Sequence, residues 1–105
     1  MHTDSNRLLL ELEKVRRDIN REVINPAIKE LSLDSLQPIL KMVARARASY
    51  VQALFEIAGD EGLDPSQEQI ADLKRRRETF DELVAATNAL ETMVQRSYLD
   101  VKTSR

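Results

Sequence analysis

Arg47 and Arg77 come to one level when the chain is folded back on itself about its second turn, and Asp18 and Glu22 reach the same height from the first helix. Two guanidiniums so placed repel each other unless carboxylates neutralise them. Arg77 stands on the apolar seam of its helix, between Leu73 and Phe80, and Arg47 on the flank of the helix opposite. Two arrangements satisfy these positions. In one, Asp18, Glu22 or Asp81 pairs the arginines in a polar layer that sets helix register at some cost in stability. In the other, the two arginines form a clamp for a phosphate or carboxylate ligand. The polar layer is the preferred reading.

The densest charge run is Lys74-Arg75-Arg76-Arg77. Four consecutive helical residues spread around the whole circumference, so they make no single patch. Asp72, Glu78, Asp81 and Glu82 stand at pairing distance along the helix, and a solvated face is the simpler account. A nucleic-acid surface would need a continuous positive strip with aromatic or amide side chains reading the bases. The balance of 18 acidic against 16 basic residues, a net charge of −2, also weighs against it. Carboxylates are plentiful, but acid–base catalysis also requires a concave site with perturbed pKa values. With no cysteine and His2 as the one histidine, thiolate or histidine metal sites and a histidine-based triad cannot be built from one chain. Di-iron carboxylate bundles use Glu-x-x-His motifs, and the chain has none. No catalytic residue, metal or cofactor is expected.

The segment from Ile57 to Glu68 has one calcium-like feature. Gly62 and Glu68 stand six apart, as at positions six and twelve of an EF-hand loop. That register places Ile57 and Gly59 where the first two carboxylates belong, so the calcium reading fails and a capped turn replaces it.

The elements that position these residues are helices. Charged residues make up 32% of the 105 and aromatics 4%, with two glycines, a composition suited to amphipathic helices and poor in strand formers. The first helix carries the stripe Leu8, Leu12, Val15, Ile19 and Val23 and is expected over about 5–31 with a kink at Pro26. Asp34 with Gln37 reads as a capping box that opens the second helix at 35–58, with Pro38 in its first turn. Its stripe, Leu36, Ile39, Val43, Ala46, Tyr50, Ala53 and Ile57, moves in steps of three and four, the seam of a coiled-coil-like helix. Asp64, Pro65 and Gln67 read as the start of a third helix over 65–101.

Short connections make neighbouring helices antiparallel. The predicted fold is therefore all-α: one domain spanning 1–105, an antiparallel three-helix bundle with a long C-terminal helix. That helix overhangs the hairpin by about a dozen residues, ~18 Å, and keeps its apolar period through Leu90, Met93, Val94, Tyr98 and Val101. Leaving the stripe in water would forfeit roughly 1.5 kcal/mol for each large side chain. Either the segment after Pro26 folds over it or a second chain covers it, and dimerisation through these residues is the preferred reading.

The expected function follows: a non-enzymatic protein–protein interaction or adaptor bundle, homodimeric, with a further protein partner. The alternative is a nucleic-acid or anion-binding regulator using Arg45, Arg47, Lys74, Arg75 and Arg76. Met1–Ser5 lacks the basic and apolar regions of a signal peptide, and no apolar run, Leu8–Leu10 included, is long enough to span a membrane. A soluble, cytoplasmic protein is expected. The helical pattern is shared by many small bundles, and a shared fold licenses no transfer of function.

Overall fold

The computed structural model describes residues 2–28, 30–60 and 64–102. Among these residues there are three helices, α1 (His2–Ala27), α2 (Leu33–Ala58) and α3 (Gln67–Gln95), and two short strands, β1 (Leu31–Ser32) and β2 (Val101–Lys102). The fold is mostly helical, as composition and spacing predict. The two strands pair in parallel, Leu31 opposite Val101 and Ser32 opposite Lys102, an element absent from the sequence reading. The chain divides into two compact units, Leu36–Asn88 and the pairing of Met1–Ser35 with Ala89–Arg105.

The helix starts show where local chemistry overrules a first choice of cap. Asp34 and Gln37 do not open α2. The helix begins two residues earlier, at Leu33, because Ser32 and Ser35 close a reciprocal box. The Ser32 N–H donates to Ser35 Oγ at 2.8 Å, and the Ser35 N–H donates to Ser32 Oγ at 3.3 Å. Pro38 therefore lies beyond the first turn, where its missing N–H leaves the Asp34 carbonyl without its helical donor. Likewise Asp64 and Gln67 yield to Ser66 and Gln69. The Gln69 N–H donates to Ser66 Oγ at 3.1 Å, and the Ser66 N–H to Gln69 Oε1 at 2.8 Å, a capping box that starts α3 at Gln67. Glu61, Gly62 and Leu63, which carried the calcium comparison and the second turn, lie outside the described residues.

In the unit Leu36–Asn88, the sequence-derived stripe of α2 is the face turned inward. Val43 and Ala53 are buried, and Leu36, Ile39, Ala46, Tyr50 and Ile57 are half-buried. On α3 the half-buried residues up to Thr87 are Gln69, Asp72, Leu73, Arg76, Phe80, Leu83, Val84 and Thr87, again in steps of three and four. Asp60 meets Gln69, Ser49 meets Arg76, and Tyr50 and Arg47 both meet Phe80. The residue just after α2 meets the start of α3 and the middle of α2 meets the middle of α3, the order of contacts in a helical hairpin.

The other unit is built differently. Helix α1 does not continue to residue 31 with a kink. It ends at Ala27, one residue past Pro26, after a last helical bond from the Ile28 N–H to the Ile24 carbonyl at 3.0 Å. The chain then extends into β1, where the Leu31 N–H donates to the Asp100 carbonyl at 3.2 Å. Leu31, Tyr98 and Leu99 form its buried core.

Candidate functional site

The residues assigned to self-association lie in this second unit, and the third helix stops among them. It ends at Gln95 instead of reaching Val101. The Tyr98 N–H bonds back to the Met93 carbonyl at 2.9 Å and the Ser97 N–H to the Val94 carbonyl at 3.2 Å, the paired bonds of a Schellman stop. Ser97 takes the left-handed conformation this requires, with φ of 60°. Turning the chain there separates the stripe into pieces. Tyr98 is only 8% exposed, Leu90 and Met93 are half-buried, and Val94 and Val101 are exposed. The continuous helical overhang is thus corrected. The segment after Pro26 meets part of this stretch, since β1 pairs with β2 directly beyond Tyr98 and Leu99.

Side chains from α1 fasten this turn. Arg21 Nη2 donates to Asp100 Oδ1, and Arg21 Nη1 donates to the Ser97 carbonyl at 2.8 Å. Asn25 completes the fastening. Its Nδ2 donates to Asp100 Oδ2 at 3.2 Å, and its Oδ1 accepts from the Asp100 N–H at 2.9 Å. The hydrogen bond from Arg21, then that from Asn25, then the charge of Arg21 hold the Asp100 carboxyl below its ordinary pKa. Nothing in the sequence marks Arg21, Asn25 and Asp100 as partners, because they lie more than seventy residues apart.

The two arginines of the predicted layer have different surroundings within the unit Leu36–Asn88. Arg77 is exposed and stands 3.9 Å from Asp81 on its own helix. The guanidinium of Arg47 lies 5.2 Å from the centre of the Phe80 ring, a cation–π contact, beside the Tyr50–Phe80 stack at 6.3 Å. Asp18 and Glu22 are exposed on α1 and form no ion pair among the described residues. The arginine that enters the hairpin seam is Arg76, whose Nη1 donates to the Ser49 carbonyl at 3.0 Å while its Nε pairs with Asp72 at 3.0 Å. Arg75 pairs with Asp72 and Lys74 with Glu78, so the basic run is neutralised along its own helix. Arg45 is exposed.

Among the described residues two shallow concave regions stand out. One, of about 610 Å³, is lined by Glu13, Arg17, Gln95, Arg96, Ser97 and Tyr98. Its cations sit where the last carbonyls of α3 concentrate negative potential. The other, of about 420 Å³, borders Asp60, Asp64 and Asp72. Gln69 engages Asp60 at 2.7 Å, and arginines hold Asp72. Among the described residues no group of three potential metal ligands converges, and no helix is long and apolar enough to cross a membrane.

What the structure leaves uncovered is apolar. The whole α1 stripe is exposed, from 45% at Leu12 to 67% at Val23. Beside it runs a charged edge in which Asp4, Glu11, Asp18 and Glu22 alternate with Arg7 and Lys14, all exposed. Helix α2 bears a second apolar line, Leu33, Leu40, Ala44, Val51, Leu54 and Ala58, with Phe55 alongside at 72% exposure. Comparison with protein-family models, curated proteins and solved structures finds no match to this chain.

Proposed function

We propose that this is a non-enzymatic interaction protein that works through apolar helix faces, with a second copy of itself as its first partner. The observation that carries this reading is the α1 stripe. Leu8, Leu12, Val15, Ile19 and Val23 are spaced for burial at one helical face, yet each remains at least 45% exposed. Contiguous apolar surface of this kind marks protein–protein contact. Covering it would contribute roughly 1.5 kcal/mol for each large side chain. The assembled form we propose is a bundle in which α1 lies antiparallel against a helical hairpin. Dimerisation supplies that cover, as the small core of a chain this short favours. A cytoplasmic location belongs to the same proposal and is checked by cell fractionation.

The test is sedimentation equilibrium. A dimer is expected near ~100 μM protein, where an affinity of ~1 μM, about 8 kcal/mol, would be saturated. A monomer at that concentration overturns self-association.

A further inference from the structure

The concavity at the end of α3 holds positive charge that the fold does not use. Arg17 and Arg96 both line it, and neither has an ion pair or a side-chain hydrogen bond among the described residues. Both belong to the unit that joins Met1–Ser35 to Ala89–Arg105. Arg17 stands one helical turn before Arg21, whose Nη1 donates to the Ser97 carbonyl at 2.8 Å. That bond brings Arg17 beside the turn that carries Arg96.

The groups that could neutralise these two arginines are already engaged. Glu13, the carboxylate in the lining, pairs with Arg16 at 2.9 Å. Asp100 is held by Arg21 and Asn25. A helix end supplies only about half an elementary negative charge. The Thr92, Met93 and Val94 carbonyls of α3 moreover accept from the N–H groups of Arg96, Tyr98 and Ser97. A neutral donor opens onto the same space. Tyr98 is 8% exposed, its hydroxyl has no partner among the described residues, and no buried side-chain N or O there is left unpaired. The hydroxyl therefore reaches the surface, and the concavity is the surface this residue borders.

We propose that this concavity binds a phosphate dianion, free or on a small phosphomonoester, with Arg17 and Arg96 donating to its oxygens and Tyr98 Oη adding a third donor. Charge decides the class. Two guanidiniums match a dianion, whereas a carboxylate would leave one of them uncompensated, and the guanidinium fork suits phosphate oxygens. A volume of about 610 Å³ admits a small molecule. The shallow form leaves the rest of a phosphomonoester free to project into water. The site uses neither the α1 stripe nor the exposed line of α2, so it stands apart from self-association.

The test follows backbone amide shifts by NMR as sodium phosphate is added at about pH 7.5, where phosphate is mostly dianionic, with ionic strength held constant by sodium chloride. Saturable shifts confined to residues 13–21 and 95–98 are expected, repeated with sulfate and glycerol 3-phosphate and much weaker with acetate. The tighter of phosphate and glycerol 3-phosphate tells which source the site prefers. Arg17→Gln with Arg96→Gln should weaken binding about tenfold or more, with helix content by circular dichroism unchanged. Tyr98→Phe, which keeps the ring, should weaken it about threefold. Arg7→Gln with Lys14→Gln removes the same charge from α1 outside the lining and should leave the affinity as it was. Equal weakening in that control, or acetate shifts as large as those of phosphate, would show diffuse attraction of anions and overturn the site. So would the absence of a saturable shift by about 50 mM phosphate, where a ~1 mM affinity would be saturated. Should the Arg17/Arg96 double variant lose its helices, the two single substitutions decide, and unchanged affinity in both sinks the proposal.

Discussion

The unit Leu36–Asn88 and the unit that joins Met1–Ser35 to Ala89–Arg105 are held together by different chemistry. In the first, two long helices meet along repeating side chains, with small or aromatic residues such as Ala53 and Phe80 filling the seam and Arg76 tying it at one level. In the second, a core of Leu31, Tyr98 and Leu99 is stabilised by one irregular turn, a two-residue parallel pair and the hold of Arg21 and Asn25 on Asp100. A periodic seam spreads its stability over many equivalent contacts, so no single residue decides it. A knot of unlike contacts depends on each. The contrast predicts that mutations in the knot act locally and strongly.

The largest effect belongs to Leu99→Ala. Removing a buried leucine leaves a cavity and costs ~2–5 kcal/mol. Urea unfolding gives the size. Amide exchange tests the comparison, because protection should fall in 28–32 and 96–102 while Val43 to Ala53 stays protected. Equal loss in both regions would show that the two units unfold as one.

Asn25→Ala should come next, at ~1–3 kcal/mol, because it removes an acceptor and a donor that both serve Asp100. Acid titration examines the same knot from the carboxylate side. The folded Asp100 pKa is lowered, so its contribution is fully present above the ordinary carboxylate range and is lost as pH falls through the lowered value. Unfolding followed between about pH 5 and 2 should lose this component in Asp100→Asn. An unchanged acid profile in that variant would mean the carboxylate is not held as the geometry describes.

These two regions also differ in how far they can be read from sequence. The α2 seam was fully legible, because steps of three and four pick out one helical face and a packed partner enforces it. The helix stop at Gln95 was not. No glycine or proline follows Pro65 in the chain, and Ser97 fills the left-handed position without announcing it. The caps slipped by two residues for a related reason. Ser32, Asp34 and Ser35 can all accept from free N–H groups, as can Asp64 and Ser66, and spacing alone cannot rank them. The end of α1 at Ala27 depends on β1 finding β2 some seventy residues away, information that no local window contains. The exposed α1 stripe was read correctly as a stripe, but periodicity says only that a face is apolar and not what covers it.

Ser97→Gly turns the illegible stop into an experiment of opposite sign. A non-glycine residue in the left-handed region costs roughly 1 kcal/mol, and glycine removes that cost. The variant should be about 0.5–1 kcal/mol more stable, somewhat offset by the added freedom of its unfolded chain. Destabilisation by urea unfolding would mean the serine hydroxyl makes a contribution larger than the backbone relief.

The smallest effect is the most discriminating for the hairpin. Between Leu73 and Phe80 the seam can pass through residue 76 or residue 77, since three then four and four then three reach the same place. The apolar neighbours do not choose. The structure chooses Arg76, which donates to the Ser49 carbonyl and pairs with Asp72, and leaves Arg77 exposed with Asp81 at 3.9 Å. Arg76→Ala should therefore cost ~1–2 kcal/mol, from a charge-assisted hydrogen bond and the packing of its stem. Arg77→Ala should cost less than ~0.5 kcal/mol, as befits an exposed pair within one helix. The two substitutions delete the same atoms from adjacent positions, so helix propensity cancels and the difference between their urea midpoints reports position alone. If Arg77→Ala proves the costlier, α3 is rotated by one residue from the seam described here, and the polar layer inferred from sequence would return.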